Sequence, residues 1–369
     1  MRVLITGGGT GGHINPALAI ARALREREPG LELLYVGTRA GLEADLVPRA
    51  GIPLRTISVS GIVRKSPVQA VAGLFRAGKG LLEAIAIVRA FRPDVVVGTG
   101  GYVSGPVMLA AVLCGVPTLL QEQNAFPGVT NRVLSRFVSR VALAFEEAAK
   151  HLSPRSRPFV SGNPVRREIL TAERAASARE LGLDPGKRTI LVTSGSRGAG
   201  CFVAAVPELA AAVAGRPDLQ LIWGTGKQYF EAAQRELTRR GLVPLPERIL
   251  LLPYIYRQDL AMAASDLAVV RAGALTLAEL TARGLPAVII PSPNVAHDHQ
   301  AKNARVLAAA GAAEVIREQD LTGRHLAERV LAIIDSPTRL REMAARSAAL
   351  GRPNAAADIA AAVIALARR

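Results

Sequence analysis

The chain contains little cysteine, few aromatic residues and no long uninterrupted apolar run. Its 369 residues include two cysteines, Cys114 and Cys201, and only 4% aromatic residues. Two cysteines in unrelated surroundings provide neither a disulfide framework nor the spacing of a metal site. The closest apolar candidate, 107–120, is broken by Gly115 and Pro117, whereas a membrane span needs ~20 apolar residues. The N-terminus leads directly into a predicted strand, so we expect no signal peptide. Together with the two isolated cysteines and the broken apolar run, this predicts a reduced, cytoplasmic protein without a metal site or a spanning helix.

Acidic residues are scarce relative to basic ones, which indicates an anionic partner. The chain has 46 Lys and Arg against 30 Asp and Glu, a net charge of +16. Nucleic acid is not expected, because no stacking aromatic residues interleave with the cations and no recognition motif is present. Within residues 55–92 a single acid, Glu83, stands against the cations Arg64, Lys65, Arg76, Lys79 and Arg89. Their mixture with apolar residues favours docking on an anionic membrane surface. The alternative is that the apolar residues face the core and the cations are merely solvated.

Strands and helices alternate along the chain, and the pattern restarts halfway. A length of 369 residues predicts two domains. Strands are predicted at 3–6, 33–36, 94–97, 118–120 and 140–144, and again at 189–193, 219–224, 249–251, 267–270 and 288–290. We predict an α/β protein with two Rossmann-like, doubly wound domains facing one another across a cleft, divided at Gly162-Asn163-Pro164 into 1–161 and 162–353. The alanine-rich final helix, 354–369, must bury much of its surface, and the first domain is a candidate partner.

A glycine-rich turn follows the first strand. Residues 7–12 are Gly-Gly-Gly-Thr-Gly-Gly, followed by His13, and such glycines let the backbone approach a phosphate closely. The pattern fits G-x-G-x-x-G, which is weak by itself. A nicotinamide enzyme also needs an acid at the tip of the second strand to bind ribose, and here 37–39 reads Gly-Thr-Arg. The nearest carboxylate, Glu43, is better placed on the following helix. This argues against a nicotinamide cofactor, and we expect the chain to use no cofactor.

Residues 271–303 carry the features of a nucleotide-sugar site. Gly273-Ala274 forms a tight turn, and Thr276 is a candidate cap for the helix that carries Glu279. Such a helix start directs backbone N–H groups and a partial positive charge at a diphosphate, and Glu279 could accept hydrogen bonds from a ribose. Beyond the strand at 288–290, the loop ends in three residues able to read sugar hydroxyls, His299, Gln300 and Asn303. The alternative is an ordinary αβ unit with a polar loop.

Six motifs, taken together and in order, resemble the MurG family of bacterial glycosyltransferases over essentially the whole chain. They are Gly-Gly-Thr-Gly-Gly-His at 8–13, Gly-Thr-Gly-Gly-Tyr at 98–102, Glu-Gln-Asn-Ala at 122–125, Gly-Asn-Pro-Val-Arg at 162–166, Arg-Ala-Gly-Ala-Leu-Thr-Leu-Ala-Glu at 271–279 and His-Gln-Ala-Lys-Asn-Ala at 299–304. The resemblance implies the two-domain GT-B fold. It also implies transfer of N-acetylglucosamine (GlcNAc) from UDP-GlcNAc to a muramyl peptide carried on undecaprenyl pyrophosphate, a step of peptidoglycan synthesis. The family works as a peripheral protein on the cytoplasmic face of the membrane.

The resemblance assigns roles to individual residues. In the C-terminal domain, Ile255 would contact uracil through its backbone and Glu279 would bind the ribose. The diphosphate would be held by Arg166, Ser196, Ala274, Leu275 and Thr276. Gln300 would contact the sugar with His299 beside it. In the N-terminal domain, which receives the lipid acceptor, His13 and Asn124 would line the site, and the acceptor pyrophosphate would meet the glycine turns that include Thr10, Gly11, Gly12, Gly100 and Gly101.

One stretch departs from the family pattern. The family has Gly-Gly-Ser-Gln-Gly-Ala and a polar continuation, whereas 194–202 reads Ser-Gly-Ser-Arg-Gly-Ala-Gly-Cys-Phe. Arg197 could help hold a diphosphate, or it could mark an altered donor site. Because Ser196 and the flanking glycines are kept, we expect retained activity.

The chemistry of the residues agrees with an inverting glycosyl transfer. An acceptor hydroxyl would attack the anomeric carbon opposite the leaving UDP, and helix N-termini with Arg166 would stabilise the charge on the diphosphate. His13 is a candidate general base by position and ordinary pKa; orienting the acceptor or capping the helix are its alternative roles. Another GT-B lipid glycosyltransferase, such as one acting on diacylglycerol, is the nearest alternative function. A binding module without catalysis is a further one, supported by the altered 194–202 stretch.

Overall fold

The computed structural model describes residues 1–59, 67–195 and 198–368, and the side chains of 67–77 and Ala296 are not described. The chain divides into two compact units, Met1–Pro164 with Pro353–Arg369, and Val165–Arg352. The division falls after Pro164, three residues beyond the boundary expected from the sequence. Asn163 is buried in the first unit, where its side chain accepts a hydrogen bond from Gln121 at 2.9 Å and donates one to the Gln123 carbonyl at 3.0 Å. These bonds tie the connecting segment to the first sheet.

In its described part, the first unit has seven strands: β1 (Arg2–Thr6), β2 (Glu32–Gly37), β3 (Leu54–Thr56), β4 (Val95–Gly98), β5 (Thr118–Glu122), β6 (Arg140–Leu143) and β7 (Phe159–Val160). They are parallel and lie in the order β3-β2-β1-β4-β5-β6-β7. The helices described between them are α1 (Gly11–Arg27), α2 (Glu43–Arg49), α3 (Pro67–Phe91), α4 (Ser104–Leu113) and α5 (Val129–Leu134).

The central strands are nearly continuous runs of buried apolar residues, as expected for parallel strands covered on both faces. Leu4 of β1 aligns with Leu34 of β2 and with Val96 of β4. Strands β2 and β3 lie on one side of β1, and strands β4 to β7 lie on its other side. The strand order therefore reverses between β1 and β4, and ligands of doubly wound sheets bind at the carboxyl ends of such strands. The turns at 7–10 and 99–103 both lie there.

The second unit repeats this design. Its strands, in the described residues, are β8 (Arg188–Thr193), β9 (Leu219–Gly224), β10 (Ile249–Leu252), β11 (Leu267–Val270), β12 (Ala287–Ile289) and β13 (Ala313–Val315). Its helices are α6 (Arg167–Thr171), α7 (Arg174–Glu180), α8 (Gly200–Ala214), α9 (Phe230–Arg239), α10 (Gln258–Ala264), α11 (Ala274–Arg283), α12 (His299–Ala309), α13 (Gly323–Ile334) and α14 (Pro337–Leu350). The parallel order is β10-β9-β8-β11-β12-β13. The reversal point lies between β8 and β11, next to the segment after Thr193 and the turn before α11.

The last helix, α15 (Ala355–Ala367), belongs to the first unit. Its Ile359 and Val363 are fully buried and share a core cluster with Ile20 and Leu24 of α1. The apolar face of this alanine-rich helix is thereby covered within the first unit.

Within the described residues, one helical stretch, Pro337–Ala367, passes as long and apolar enough to cross a membrane by length and composition: it has 31 residues, and an 18-residue segment of it has a mean hydropathy of 1.2. This differs from the expectation that no stretch would qualify. The stretch comprises α14 and α15, which are separated at 351–354, and the apolar face of α15 is buried against α1. Buried core helices of soluble proteins reach the same length and hydropathy, so these two properties alone are weak evidence for a membrane span.

Candidate functional site

Two glycine turns of the first unit touch one another at the carboxyl ends of β1 and β4. The backbone N–H of Gly8 donates to the carbonyl of Gly100 at 3.3 Å. Gly100 and Gly101 have φ angles of +94° and +81°, which favour glycine. A Cβ on Gly101 would overlap the carbonyl oxygen of Gly8. Glycine is therefore required at 101 for the two turns to come together.

His13 lies in the first turn of α1, and its ring is held by the neighbouring strand ends. Its Nδ1 is 3.0 Å from the carbonyl oxygen of Thr99 and 3.2 Å from Oε1 of Gln123. Both partners are acceptors, so Nδ1 carries the proton and the lone pair of the neutral ring is on Nε2. The N-cap residue of α1 is Thr10, so His13 is not the capping residue. This geometry gives the tautomer that a general base acting through Nε2 requires.

The start of α1 presents backbone donors at the same place. Thr10 and Gly12 are exposed and Gly11 is half-buried. Across the described residues, no group accepts a hydrogen bond from the backbone N–H of Thr10, Gly11 or Gly12, while the N–H of His13 bonds to the Thr10 carbonyl. Unsatisfied N–H groups at the positive end of a 17-residue helix suit an anion such as a phosphate.

Asn124 is positioned by the buried carboxylate of Glu122, a motif residue to which the family resemblance assigned no role. Glu122 is 1% exposed at the end of β5. Its Oε1 accepts hydrogen bonds from the backbone N–H and side-chain amide of Asn124 at 2.9 and 3.3 Å. Its Oε2 accepts from the N–H of Gly128 at 3.2 Å and from the Asn131 amide at 2.7 Å. The loop that carries Asn124 is thus wrapped around one acid.

In the second unit, α11 begins immediately after the turn at Gly273. The N-cap residue is Gly273 and no side chain caps the helix, so the predicted cap at Thr276 is wrong. Gly273 has an extended backbone, and the helix starts with Ala274 and Leu275, which places Thr276 inside its first turn. The Thr276 hydroxyl still faces the helix start, since it lies 3.6 Å from the position that a Cβ on Gly273 would occupy.

Glu279 and Arg166, both predicted donor-site residues, form an ion pair. The Nε and Nη2 atoms of Arg166 lie 3.0 and 2.9 Å from Oε1 of Glu279. The Glu279 side chain is 13% exposed and that of Arg166 is 49% exposed. Burial raises the pKa of Glu279 above its ordinary value, and the charge and hydrogen bond of Arg166 oppose this shift. The structure therefore brings the two residues together one turn into α11.

The remaining predicted donor residues have different surroundings. Ile255 is nearly buried, with its side chain against Gly224. His299 and Gln300 begin α12, and Oε1 of Gln300 accepts a hydrogen bond from the Ser292 N–H at 2.9 Å. Asn303 is fully buried and donates to the Ala272 carbonyl at 3.3 Å. The expectation that it reads sugar hydroxyls is therefore wrong, because its side chain is turned into the fold. Ser196 and Arg197 lie outside the described residues.

Arg271 is a residue whose role the sequence did not indicate. Its guanidinium donates to the Ile290 carbonyl at 3.1 Å and to Sγ of Cys201 at 3.2 Å, and it pairs with Glu318 at 2.5 Å. It also lies over the Phe202 ring. Burial is the main cause that raises the pKa of the Cys201 thiol. Arg271 thus connects the start of α8 with the end of β12.

Within the described ranges, no group of three or more His, Cys, Asp or Glu could hold a metal ion.

The stretch proposed to meet a membrane is only partly described, since Arg64 and Lys65 lie outside the described residues. In α3, Ala84 and Val88 are buried and Leu81, Ile85 and Ile87 pack partly buried against the core. These residues agree with the alternative given for the stretch 55–92, in which its apolar side chains face the core. Leu82, in contrast, is 69% exposed.

Helices α4 and α5 share the layer of α3, and they also carry exposed apolar side chains. These are Leu113 on α4, Val129 and Val133 on α5, and Phe137 just beyond it. Val129, Val133 and Phe137 recur every four residues. This helical spacing is visible in the sequence, but these residues lie outside the stretch 55–92 that was predicted to dock on a membrane.

Comparison with known proteins places the chain in a family. Residues 3–143 match the glycosyltransferase family 28 N-terminal domain and residues 189–360 match its C-terminal domain. The crystal structure of Acinetobacter baumannii MurG superposes with a TM-score of 0.79 and 31% identity over 99% of both chains. The chain belongs to the MurG family of glycosyltransferase family 28.

Two similar curated relatives of this MurG-family chain carry the same name. The UDP-N-acetylglucosamine–N-acetylmuramyl-(pentapeptide) pyrophosphoryl-undecaprenol N-acetylglucosamine transferase of Moorella thermoacetica is 49% identical over 96% of both chains. The enzyme of that name from Symbiobacterium thermophilum is 47% identical over 100% of this chain and 97% of its own. These findings confirm the predicted family, the GT-B class of two doubly wound α/β domains, and a glycosyltransferase activity.

Proposed function

We propose that the chain transfers GlcNAc, with inversion, from UDP-GlcNAc to the muramyl sugar of a peptide-bearing, undecaprenyl-pyrophosphate-linked acceptor. This places it in peptidoglycan synthesis as a peripheral protein on the cytoplasmic face of the cell membrane. One observation carries the proposal: a relative named for this transfer matches 96% of the chain and 96% of its own length at 49% identity. The glycine turns at the start of α1 in the first unit and of α11 in the second unit are consistent with this transfer.

The second unit is the donor-binding unit of this proposal. Ribose hydroxyls would donate to the Glu279 carboxylate, and the N-terminus of α11 would face the diphosphate. Arg166, bonded to Glu279 at 2.9–3.0 Å in the structure, would exchange that partner for the diphosphate. As UDP departs, its negative charge would be stabilised by Arg166 and the helix N–H groups, and one well-placed donor contributes roughly 3–4 kcal/mol to such a transition state.

On the acceptor side, the first unit would bind the pyrophosphate and activate the hydroxyl. The N–H groups of Thr10, Gly11 and Gly12 form the phosphate contacts, with Gly100 and Gly101 shaping the turn. The acceptor hydroxyl loses its proton to Nε2 of His13 as its oxygen bonds to the anomeric carbon. The bond between that carbon and the diphosphate oxygen breaks at the same time, and UDP leaves with the electron pair. Asn124, held by Glu122, orients the acceptor.

We assign membrane docking to the layer of α3, α4 and α5. Leu82, Leu113, Val133 and Phe137 are exposed there, with Lys79 and Arg136 among the cations of the same segments. Apolar side chains would enter the interface while each nearby cation contributes about 1 kcal/mol on an anionic leaflet. An enzyme with a lipid-anchored acceptor needs such a surface.

The test is an incubation with UDP-GlcNAc and a short-chain, pyrophosphate-linked muramyl peptide, without added metal. We expect UDP release and a disaccharide product with inverted configuration at the transferred sugar. Diacylglycerol in place of the muramyl acceptor serves as the comparison. Product from diacylglycerol alone would favour another lipid glycosyltransferase, and UDP-GlcNAc binding without any product would favour a binding module.

A further inference from the structure

Glu43 is a fully buried carboxylate beneath the 7–12 turn of the first unit. It is the first residue of α2 and is 0% exposed. Its Oε2 accepts a hydrogen bond from the backbone N–H of Gly9 at 3.2 Å. Its Oε1 accepts from the N–H and the hydroxyl of Thr38 at 3.0 and 2.6 Å. One carboxyl group therefore joins the turn after β1 to the loop after β2.

Glycines make the space that this carboxyl group occupies. A Cβ on Gly8 would lie 2.6 Å from Oε1 of Glu43, and a Cβ on Gly37 would lie 2.6 Å from its Cγ. A Cβ on Gly41 would overlap both carboxylate oxygens. The side chain thus has little freedom to move without displacing backbone.

The energetics favour a single arrangement of the turn. A buried carboxylate is costly unless donors satisfy it, and the donors here are two backbone N–H groups and one hydroxyl. Turning the Gly9 N–H outward would remove one of them. Tyr35 holds the same turn from the other side, since its hydroxyl donates to the Gly7 carbonyl at 2.7 Å. Burial, and then the charge of Glu43, raises the pKa of Tyr35, which keeps the phenol protonated as a donor.

We propose that Glu43 is a positioning residue for the acceptor: by holding the Gly9 N–H inward, it sets the N–H groups of Thr10, Gly11 and Gly12 toward the acceptor pyrophosphate. Gly9 has a φ of +86°, and the exposed Thr10 and Gly12 follow it directly. This inference rests on the proposed function of the turn. Glu43 acts through the backbone and touches no substrate.

The test replaces Glu43 by glutamine, which keeps the shape but sets an amide group against the donors of Gly9 or Thr38. We expect the KM for the muramyl acceptor to rise about tenfold, as for the loss of one hydrogen bond to a charged group. The KM for UDP-GlcNAc should stay unchanged. Hydrogen–deuterium exchange of the Gly8 and Gly9 amides, which are hydrogen-bonded in the structure, should become faster, and this reports the turn without requiring activity.

Asp94→Asn is the matched control. Asp94 accepts a hydrogen bond from the backbone N–H of Arg2 at 2.7 Å, at the opposite end of β1. Its replacement should leave both the acceptor KM and the exchange of the 7–12 turn as in the wild type. Should Glu43→Gln not fold, Thr38→Val removes the 2.6 Å hydroxyl contact and should raise the acceptor KM to a smaller degree.

The outcomes separate the two proposals. A folded Glu43→Gln protein with wild-type acceptor KM and wild-type exchange overturns the role of Glu43, as does an unchanged acceptor KM in Thr38→Val when only that variant folds. A wild-type protein that gives no product from the muramyl acceptor overturns the proposed function instead. Exchange of the 7–12 turn in Glu43→Gln still decides the positioning role in that case.

Discussion

Replacing Glu279 should weaken UDP binding without weakening the fold. Glu279 is 13% exposed and accepts hydrogen bonds from Arg166, which is itself half exposed and can be solvated after the change. Hydrogen bonds to a charged acceptor contribute about 1.5–3 kcal/mol, which corresponds to a roughly 10- to 150-fold increase in the Kd for UDP. Isothermal titration calorimetry of Glu279→Ala and Glu279→Gln with UDP measures this directly, because KM equals Kd only when chemistry is slow.

The pH dependence gives a second, independent readout. Burial raises the pKa of Glu279 in the folded protein, so the folded state binds this proton more tightly than the unfolded state. The resulting stability is fully present below the ordinary value of about 4.3 and is lost as the pH rises through the folded-state pKa. Glu279→Gln removes this titration, so it should be as stable as the wild type or more stable at neutral pH. UDP binding by the wild type should strengthen over the same pH interval, and in Glu279→Gln that change should disappear.

A suitable control is Glu314→Ala in the same unit. Glu314 is similarly buried and pairs with Arg329 and Arg339, yet it lies on β13, two strands away from the reversal point. We expect Glu314→Ala to lower the melting temperature and to leave UDP binding unchanged. Unaltered UDP affinity in Glu279→Ala would refute the assignment of Glu279 to the ribose.

Three further predictions concern the first unit. His13→Ala should lower kcat by roughly 10²–10⁴-fold and abolish the acidic limb of the pH–rate profile, with UDP binding unchanged; a rise in acceptor KM with the limb retained would indicate positioning instead. Gly101→Ala should raise the acceptor KM and lower the melting temperature, because its Cβ would overlap the Gly8 carbonyl; normal kinetics would contradict the tight contact of the turns. The double variant Leu82→Glu, Phe137→Glu should reduce sedimentation with anionic vesicles while activity on a water-soluble acceptor persists, and undiminished sedimentation would place the docking surface elsewhere.

Local patterns in the sequence were sufficient for the framework of both units. Runs such as Val95-Val96-Val97 predict buried parallel strands, and the glycine-rich turn after β1 predicts backbone that approaches a phosphate. These features depend on side-chain size and backbone freedom within a few residues of each other. The placement of Glu279 one turn into its helix follows from the same local periodicity.

Only the tertiary structure decided which polar side chains face a ligand and which support the fold. Gln300 and Asn303 lie three residues apart at the start of α12, yet Asn303 turns inward to the Ala272 carbonyl. Glu43 is tolerated as a buried acid in part because Gly9, 34 residues earlier in the chain, donates a backbone hydrogen bond to it. Arg271 likewise meets Cys201 and Ile290 from distant parts of the chain. A buried polar group takes the partner that satisfies it, and in a doubly wound sheet that partner comes from a neighbouring strand end far away in the sequence.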